Sequence, residues 1–480
     1  MLFNSIPFLL FFSIFFILYW ILLPENLRIQ NLLILGGSYV FYCWFSWKLG
    51  FIILSYSIIA FYFGFYIHKT PDLKLKTRIF HVGVIFYVMS LAYFKYLNFF
   101  ISSLNSAVQF SGHTPNLHTL NIILPLGISF FTFRILSYLF DIRNGKLEPA
   151  TDLVIFLSYV AFFPSLVAGP IDKPQLLIPQ LQKSRVFSYV KAADGLRQIL
   201  WGLFKKIVVA NNAAGVVDFA FGSNRLHGFV LIYGAFFYAI EIYADFSGYS
   251  DMALGIAKLL GFQITVNFNN PYFSQNIADF WRRWHISLTS WLTEYIFTPA
   301  SIAFRDLGKA GSIMAILITF LVSGLWHGAN WTFVAWGLLH GCYFIPLILM
   351  GKMNKKKSID PAQFLPSLRE AINMMATFVL VMFTLIMFKA DSIKSAANTY
   401  INIFRIYPFS DFKVDIPLLI YTFIMLAIEW FHRDRNHGLD IARINNMTFR
   451  WTIYVGFVFL ILFFIVGGEH KNNAFIYMKF

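Results

Sequence analysis

Of 480 residues, 58% are apolar and 13% charged, against about 25% charged in ordinary soluble domains. With 58 phenylalanines and a mean hydropathy of +0.64, that balance excludes a string of soluble domains, and the long unbroken apolar runs exclude an outer-membrane barrel. The net charge of +15 does not point to nucleic acid, because the basic residues gather in short loops between apolar runs, where they set membrane orientation. The two cysteines, Cys43 and Cys342, both lie in apolar segments and imply neither a disulfide framework nor a zinc site.

Residues 5–23 read as a first span. The apolar stretch is too long for a signal-peptide core and has no basic leader or small-residue cleavage site, so a retained anchor is expected. Residues 31–67 carry one charge, Lys48, and predict two spans with a tight turn there. Lys69, Lys74, Lys76 and Arg78 against Asp72 place the 68–78 loop in the cytoplasm and the N-terminus outside. A fourth span follows at about 79–97, then an uncharged segment at 101–121, expected to be an external loop holding His113 and His118. Arg143 and Lys146 return the chain to the cytoplasm.

In LPLGISFFTFRILSYLFDIRNGK (124–146), Arg134 sits in an apolar setting, which predicts a helix packed inside protein. AFFPSLVAGPIDKP (161–174) is broken by Pro164, Gly169 and Pro170, and a break at membrane depth needs a protein or cavity environment. Residues 175–206 are amphipathic and basic, with Lys183, Arg185, Lys191, Arg197, Lys205 and Lys206. Two readings stand: an interfacial helix on the anionic inner leaflet, or a docking surface for an anionic donor. In YAIEIYADFSGYSDMALGI (238–256), Glu241, Asp245 and Asp251 need internal partners, for which Arg134, Arg282 and Arg283 are candidates. Nothing here has metal-ligand spacing.

The core of the chain is expected at about 271–341. It holds FWRRWHISLTSWL (280–292) and SGLWHGANWTFVAWGLLHG (323–341), and from Gly311 to Gly351 there is no Asp, Glu, Lys or Arg. About 20 apolar residues cross a bilayer, so this run is predicted to cross twice as a hairpin with Lys309 and the Lys352–Lys357 cluster at its cytoplasmic ends. Helices are predicted near 371–388, 415–431 and 451–467. A polar, partly amphipathic external segment is expected at 389–414, and a basic internal loop at 432–450. Ten to twelve crossings result, in one integral-membrane domain over 1–480 without internal repeats.

Of eleven histidines, His285, His327 and His340 stand in motifs. His327 is expected about 25 Å along the first arm of the hairpin. Gly324 and Gly328 permit a bend, Trp326 and Trp331 can wall a channel, and Asn330 shares the His327 face if the helix continues. A neutral imidazole there could take a proton from an alcohol attacking a thioester, with Asn330 or nearby N–H groups as oxyanion candidates. A buried histidine satisfied by a carbonyl is the bland alternative. His285 follows Trp281 by one turn, beside Arg282 and Arg283, and reads equally as a supporting active-site group or an interhelical hydrogen bond. His340 falls on another helix face and reads as structural.

An RWH motif on a tryptophan-rich stretch, then WHG about forty residues later, with LPLGISFFTF and FFPSLVAGPI upstream, resembles the membrane-bound O-acyltransferase (MBOAT) family, in its bacterial alginate-type O-acetyltransferase branch. The resemblance covers about 122–341. It implies an all-α polytopic bundle with broken or re-entrant helices and a central channel, His327 as catalytic base and His285 in support. Trp281, Trp326, Trp331 and Asn330 would be channel or oxyanion residues. It further implies an inner-membrane enzyme with acetyl-CoA as cytoplasmic co-substrate and no permanently bound cofactor or metal. The acceptor would be an envelope polysaccharide or a periplasmic partner transferase. One departure is EYIFTPASIAFRDLG, where the alginate branch often has a YIPLGGNR-like turn; this bears on the acceptor. A D-alanyl relay to teichoic acid, and a transporter using Asp245, Asp251 and Arg134, are the alternatives.

Overall fold

The computed structural model describes residues 1–22, 26–114, 117–222, 227–355, 363–405, 413–467 and 475. Every regular element among them is helical. Seven helices among the described residues are long and apolar enough to cross a membrane: Trp47–Lys69, Leu73–Phe110, Phe229–Leu259, Arg305–His327, Trp331–Leu349, Leu368–Lys389 and Met447–Val466. Two shorter apolar helices, Ile6–Ile21 and Ile416–Phe431, join them. The chain is thus an all-α polytopic membrane protein, with two compact units: residues 1–188 with 260–265, and residues 189–259 with 266–480.

In the first unit the turn at Lys48 is present, between Leu27–Cys43 and Trp47–Lys69. The fourth predicted span runs on, however, through a π-helical turn at Ala92–Tyr96 into Leu97–Phe110, so the expected loop begins about ten residues later than its lack of charge suggested. Serines are tolerated in that helix by bonding back one turn, as Ser106 Oγ does to the Ser102 carbonyl at 2.9 Å.

Helix Ile128–Arg143 is the buried centre of this unit, and Arg134 on it is fully buried. Its partner is Asp172 at 3.7 Å, not the carboxylates of 238–256. The guanidinium also donates to Ser165 Oγ and to the carbonyls of Val160 at 3.1 Å and Ser165 at 2.9 Å. The fork thus satisfies the carbonyls that the Pro164 break frees, and the two upstream motifs hold each other: one brings the arginine, the other its acceptors.

In the second unit Tyr189–Leu203 lies against Phe229–Leu259. A Cβ on Gly202 would stand 2.5 Å from the Gly248 carbonyl oxygen, so the backbones touch where both residues lack side chains. The close approach carries Lys205 and Lys206, on the π-helical stretch Phe204–Ala210, into the interior. Lys205 pairs with Asp251 at 2.5 Å and reaches Glu429 at 3.8 Å; Lys206 pairs with Asp245 at 2.5 Å. These lysines, read from sequence as part of an interfacial or docking face, are instead the internal partners of the intramembrane carboxylates. The reason is proximity: their helix is clamped along the acidic one, whereas Arg283 is taken by Asp279 at 3.2 Å and Arg282 by the carbonyls of Met353 and Lys355.

Candidate active site

The uncharged run forms the predicted hairpin, with arms Gly308–His327 and Trp331–Leu349. Lys309 Nζ donates to the Leu349 carbonyl at 2.8 Å, so the two ends meet. A Cβ on Gly324 would lie 2.3 Å from the Phe333 oxygen and one on Gly337 2.2 Å from the Phe320 oxygen, so glycine alone lets the arms approach this closely. His327 is the last residue of the first arm, about 28 Å along the axis from Gly308.

The helix does not continue past His327. Gly328 is extended and Asn330 caps the second arm, its side-chain oxygen accepting from Thr332 N at 3.0 Å. Asn330 Nδ2 also donates to the Asp391 carbonyl at 2.9 Å. Asn330 therefore pins the turn that carries His327 and does not share its helix face.

The His327 ring is 3% exposed and enclosed by aromatic rings: Trp336 at 4.9 Å, Trp326 at 5.0 Å and Phe388 at 5.1 Å between centroids. Trp331 is 57% exposed, whereas Trp336, five residues on, is buried against the His327 ring and takes the wall position expected of Trp331. Among the described residues at this end of the hairpin, Trp336 Nε1, whose ring faces His327, the Ser323 hydroxyl one turn before His327 and the Thr332 hydroxyl on the second arm are buried and make no hydrogen bond to protein.

His285 does not lie within a helix. Ile277–Arg283 ends, Trp284 is extended, and His285 takes φ 43° and ψ 53° before Ile286–Leu292 begins. It is one of two non-glycine residues with positive φ among those described. Such a residue carries roughly 1–2 kcal/mol of strain, held here by its surroundings. Ile286 N donates to the Asn267 carbonyl at 2.9 Å, and Asn267 Oδ1 accepts from Ser287 Oγ at 2.6 Å. The strained turn drives the fully buried His285 ring against Phe246 at 4.7 Å and Trp326 at 5.7 Å. His285 and His327 thus pack on the same indole, that of Trp326.

His340 has both ring nitrogens engaged. Trp281 Nε1 donates to Nδ1 at 3.2 Å, so Nδ1 is the acceptor, and Nε2 donates to Thr384 Oγ1 at 3.1 Å, whose own proton goes to the Val381 carbonyl. That makes His340 a neutral, saturated interhelical link, and Trp281 its hydrogen-bond partner. Sequence reasoning missed Phe388 and Asn267, since neither belongs to a histidine motif. Trp336 stood in the second motif and could have been singled out by its place across the turn.

Residues 32–389 match the membrane-bound O-acyltransferase family. The chain is 34% identical to the probable alginate O-acetylase AlgI of Azotobacter vinelandii, covering 93% of this chain and 89% of that protein. It is 32% identical to the peptidoglycan O-acetyltransferase of Helicobacter pylori, covering 82% and 78%. It is 30% identical to the teichoic acid D-alanyltransferase of Bacillus subtilis over 49% of this chain and 62% of that protein. A multi-pass helical chain with His285 and His327 packed on one indole at the broken end of an uncharged hairpin thus belongs to the membrane-bound O-acyltransferase family.

Proposed function

We propose that this protein moves an acetyl group from a cytoplasmic thioester, acetyl-CoA, across a bacterial inner membrane to a hydroxyl of an envelope polysaccharide, directly or by way of a periplasmic partner transferase. The observation that carries the reading is His327, buried at the helix break on the hairpin end opposite the Lys309–Leu349 contact. With the basic ends cytoplasmic, that break lies near the external face. His327 takes the proton of the acceptor hydroxyl as its oxygen attacks the thioester carbonyl. The C–S bond then breaks, and the thiolate leaves with a proton, giving the acetyl ester and the free thiol. Trp336 Nε1 and the Ser323 hydroxyl are uncommitted donors suited to the oxyanion. His285, strained against Trp326, fixes the indole on which His327 packs.

Acetyl is favoured over D-alanyl by extent of likeness: 93% of the chain aligns with the alginate O-acetylase and 49% with the D-alanyltransferase. The internal pairing of Asp245 and Asp251 with lysines speaks against a transport path built on those carboxylates. The test is turnover of radiolabelled acetyl-CoA by the purified protein in liposomes. Thiol release supports the reading; passage of a solute without thioester cleavage overturns it in favour of a transporter.

A further inference from the structure

Beyond the aromatic enclosure of His327 lies a cavity of about 260 Å³, close to the lower end of the range for small-molecule sites. It is bounded by the ends of Asn211–Phe221 and Leu368–Lys389 and by the amphipathic helix Ile393–Ile403. Two ties join it to the hairpin turn: Phe388, whose ring packs on His327, sits between lining residues Ile386 and Lys389, and Asn330 holds the carbonyl of Asp391 on its rim. The cavity therefore opens at the same hairpin end as His327, opposite the Lys309–Leu349 contact.

Its lining is specific in chemistry. Ser395, Asn398, Thr399 and Asn402 follow the i, i+3, i+4, i+7 pattern and form one stripe about 10 Å long on one face of their helix. Ser395, Asn398 and Asn402 carry groups that can both donate and accept a hydrogen bond, as sugar hydroxyls do, while Thr399, whose hydroxyl donates to the Ser395 carbonyl at 3.0 Å, keeps its acceptor capacity. Across from them Lys389 and Asp218 pair at 3.2 Å and offset one another, which leaves Asp391 as the remaining charge among the described lining residues. No Trp, Tyr or Arg is among the described lining residues, and those are the anchors that dominate protein–protein contacts.

We infer that this cleft is the acceptor subsite and that it takes a neutral, polyhydroxylated sugar unit in preference to a polyuronate, whose carboxylates would meet the residual negative charge of Asp391. The inference rests on the acyltransferase reading for its purpose, but its test is a binding measurement that needs no turnover, so the two can fail separately. A neutral β-linked hexaose and a hexauronate of equal length serve as calorimetric probes with the full chain in detergent micelles. Asn398 is exposed, so Asn398→Trp fills the cleft without entering the core, and Asn402→Ala removes one rung of the stripe. The melting temperature in the same detergent checks that both variants fold. The expected result is saturable binding of the hexaose, weakened at least tenfold by Asn398→Trp and measurably by Asn402→Ala, with weaker binding of the hexauronate. Absence of hexaose binding, unchanged binding in both folded variants, or tighter binding of the hexauronate overturns the inference, the last in favour of an anionic acceptor.

Discussion

Replacing His285 separates its backbone role from that of its ring. At φ 43° an L-residue carries roughly 1–2 kcal/mol of strain that glycine does not. Glycine costs about 0.4–1 kcal/mol of extra backbone entropy relative to alanine. His285→Ala and His285→Gly both remove the ring from its place against Phe246 and Trp326, so the packing loss nearly cancels between them. The difference that remains, about 0.5–1 kcal/mol, favours glycine, the reverse of the order inside a helix. Thermal unfolding of both variants in one detergent reads this difference. His285→Gly should melt higher than His285→Ala, while both turn over acetyl-CoA more slowly than the unsubstituted protein, because the Trp326 indole has lost a support beside His327. A His285→Ala protein that melts higher than His285→Gly would refute the strained turn, and normal turnover in both would reduce His285 to a packing residue.

Lys206→Ala leaves Asp245 buried without this cation and should destabilise the protein by about 3–5 kcal/mol, whereas Lys206→Met with Asp245→Asn should recover most of the loss; melting temperatures of the three proteins check this. Trp336→Phe keeps the ring facing His327 but removes its N–H; if that donor meets the oxyanion, turnover falls about 10²–10³-fold at unchanged abundance. In a background lacking Cys43 and Cys342, cysteines placed at 74 and 355 should resist a membrane-impermeant reagent added to intact cells, and one at 398 should react.

Much of this architecture was legible in the residues because lipid imposes simple demands: runs of about 20 apolar residues for spans, basic residues for cytoplasmic ends. The hairpin, the turn at Lys48 and the helices Leu368–Lys389, Ile416–Phe431 and Met447–Val466 all follow from such runs. What stayed hidden depends on tertiary contacts. Nothing in RWHIS announces a helix break, since neither glycine nor proline occurs there; the positive φ at His285 is imposed by Asn267 gripping the next residue. Lys205 and Lys206 carry the same charge as surface lysines, and only the contact of Gly202 with Gly248 turns them inward towards acids some forty residues later. Phe388 closes the His327 enclosure from a helix with no motif at all.

The central claim is that His327 is the base of an acyl transfer. Its ring packs against Trp326, Trp336 and Phe388 at the end of an arm held by glycine contacts elsewhere, so His327→Ala should insert and accumulate normally. Loss of a positioned base costs about 10²–10⁴ in rate. Acetyl transfer to the envelope polymer in cells, measured beside the membrane abundance of the variant, should fall by that factor at unchanged abundance. Near-normal transfer at normal abundance would contradict the account.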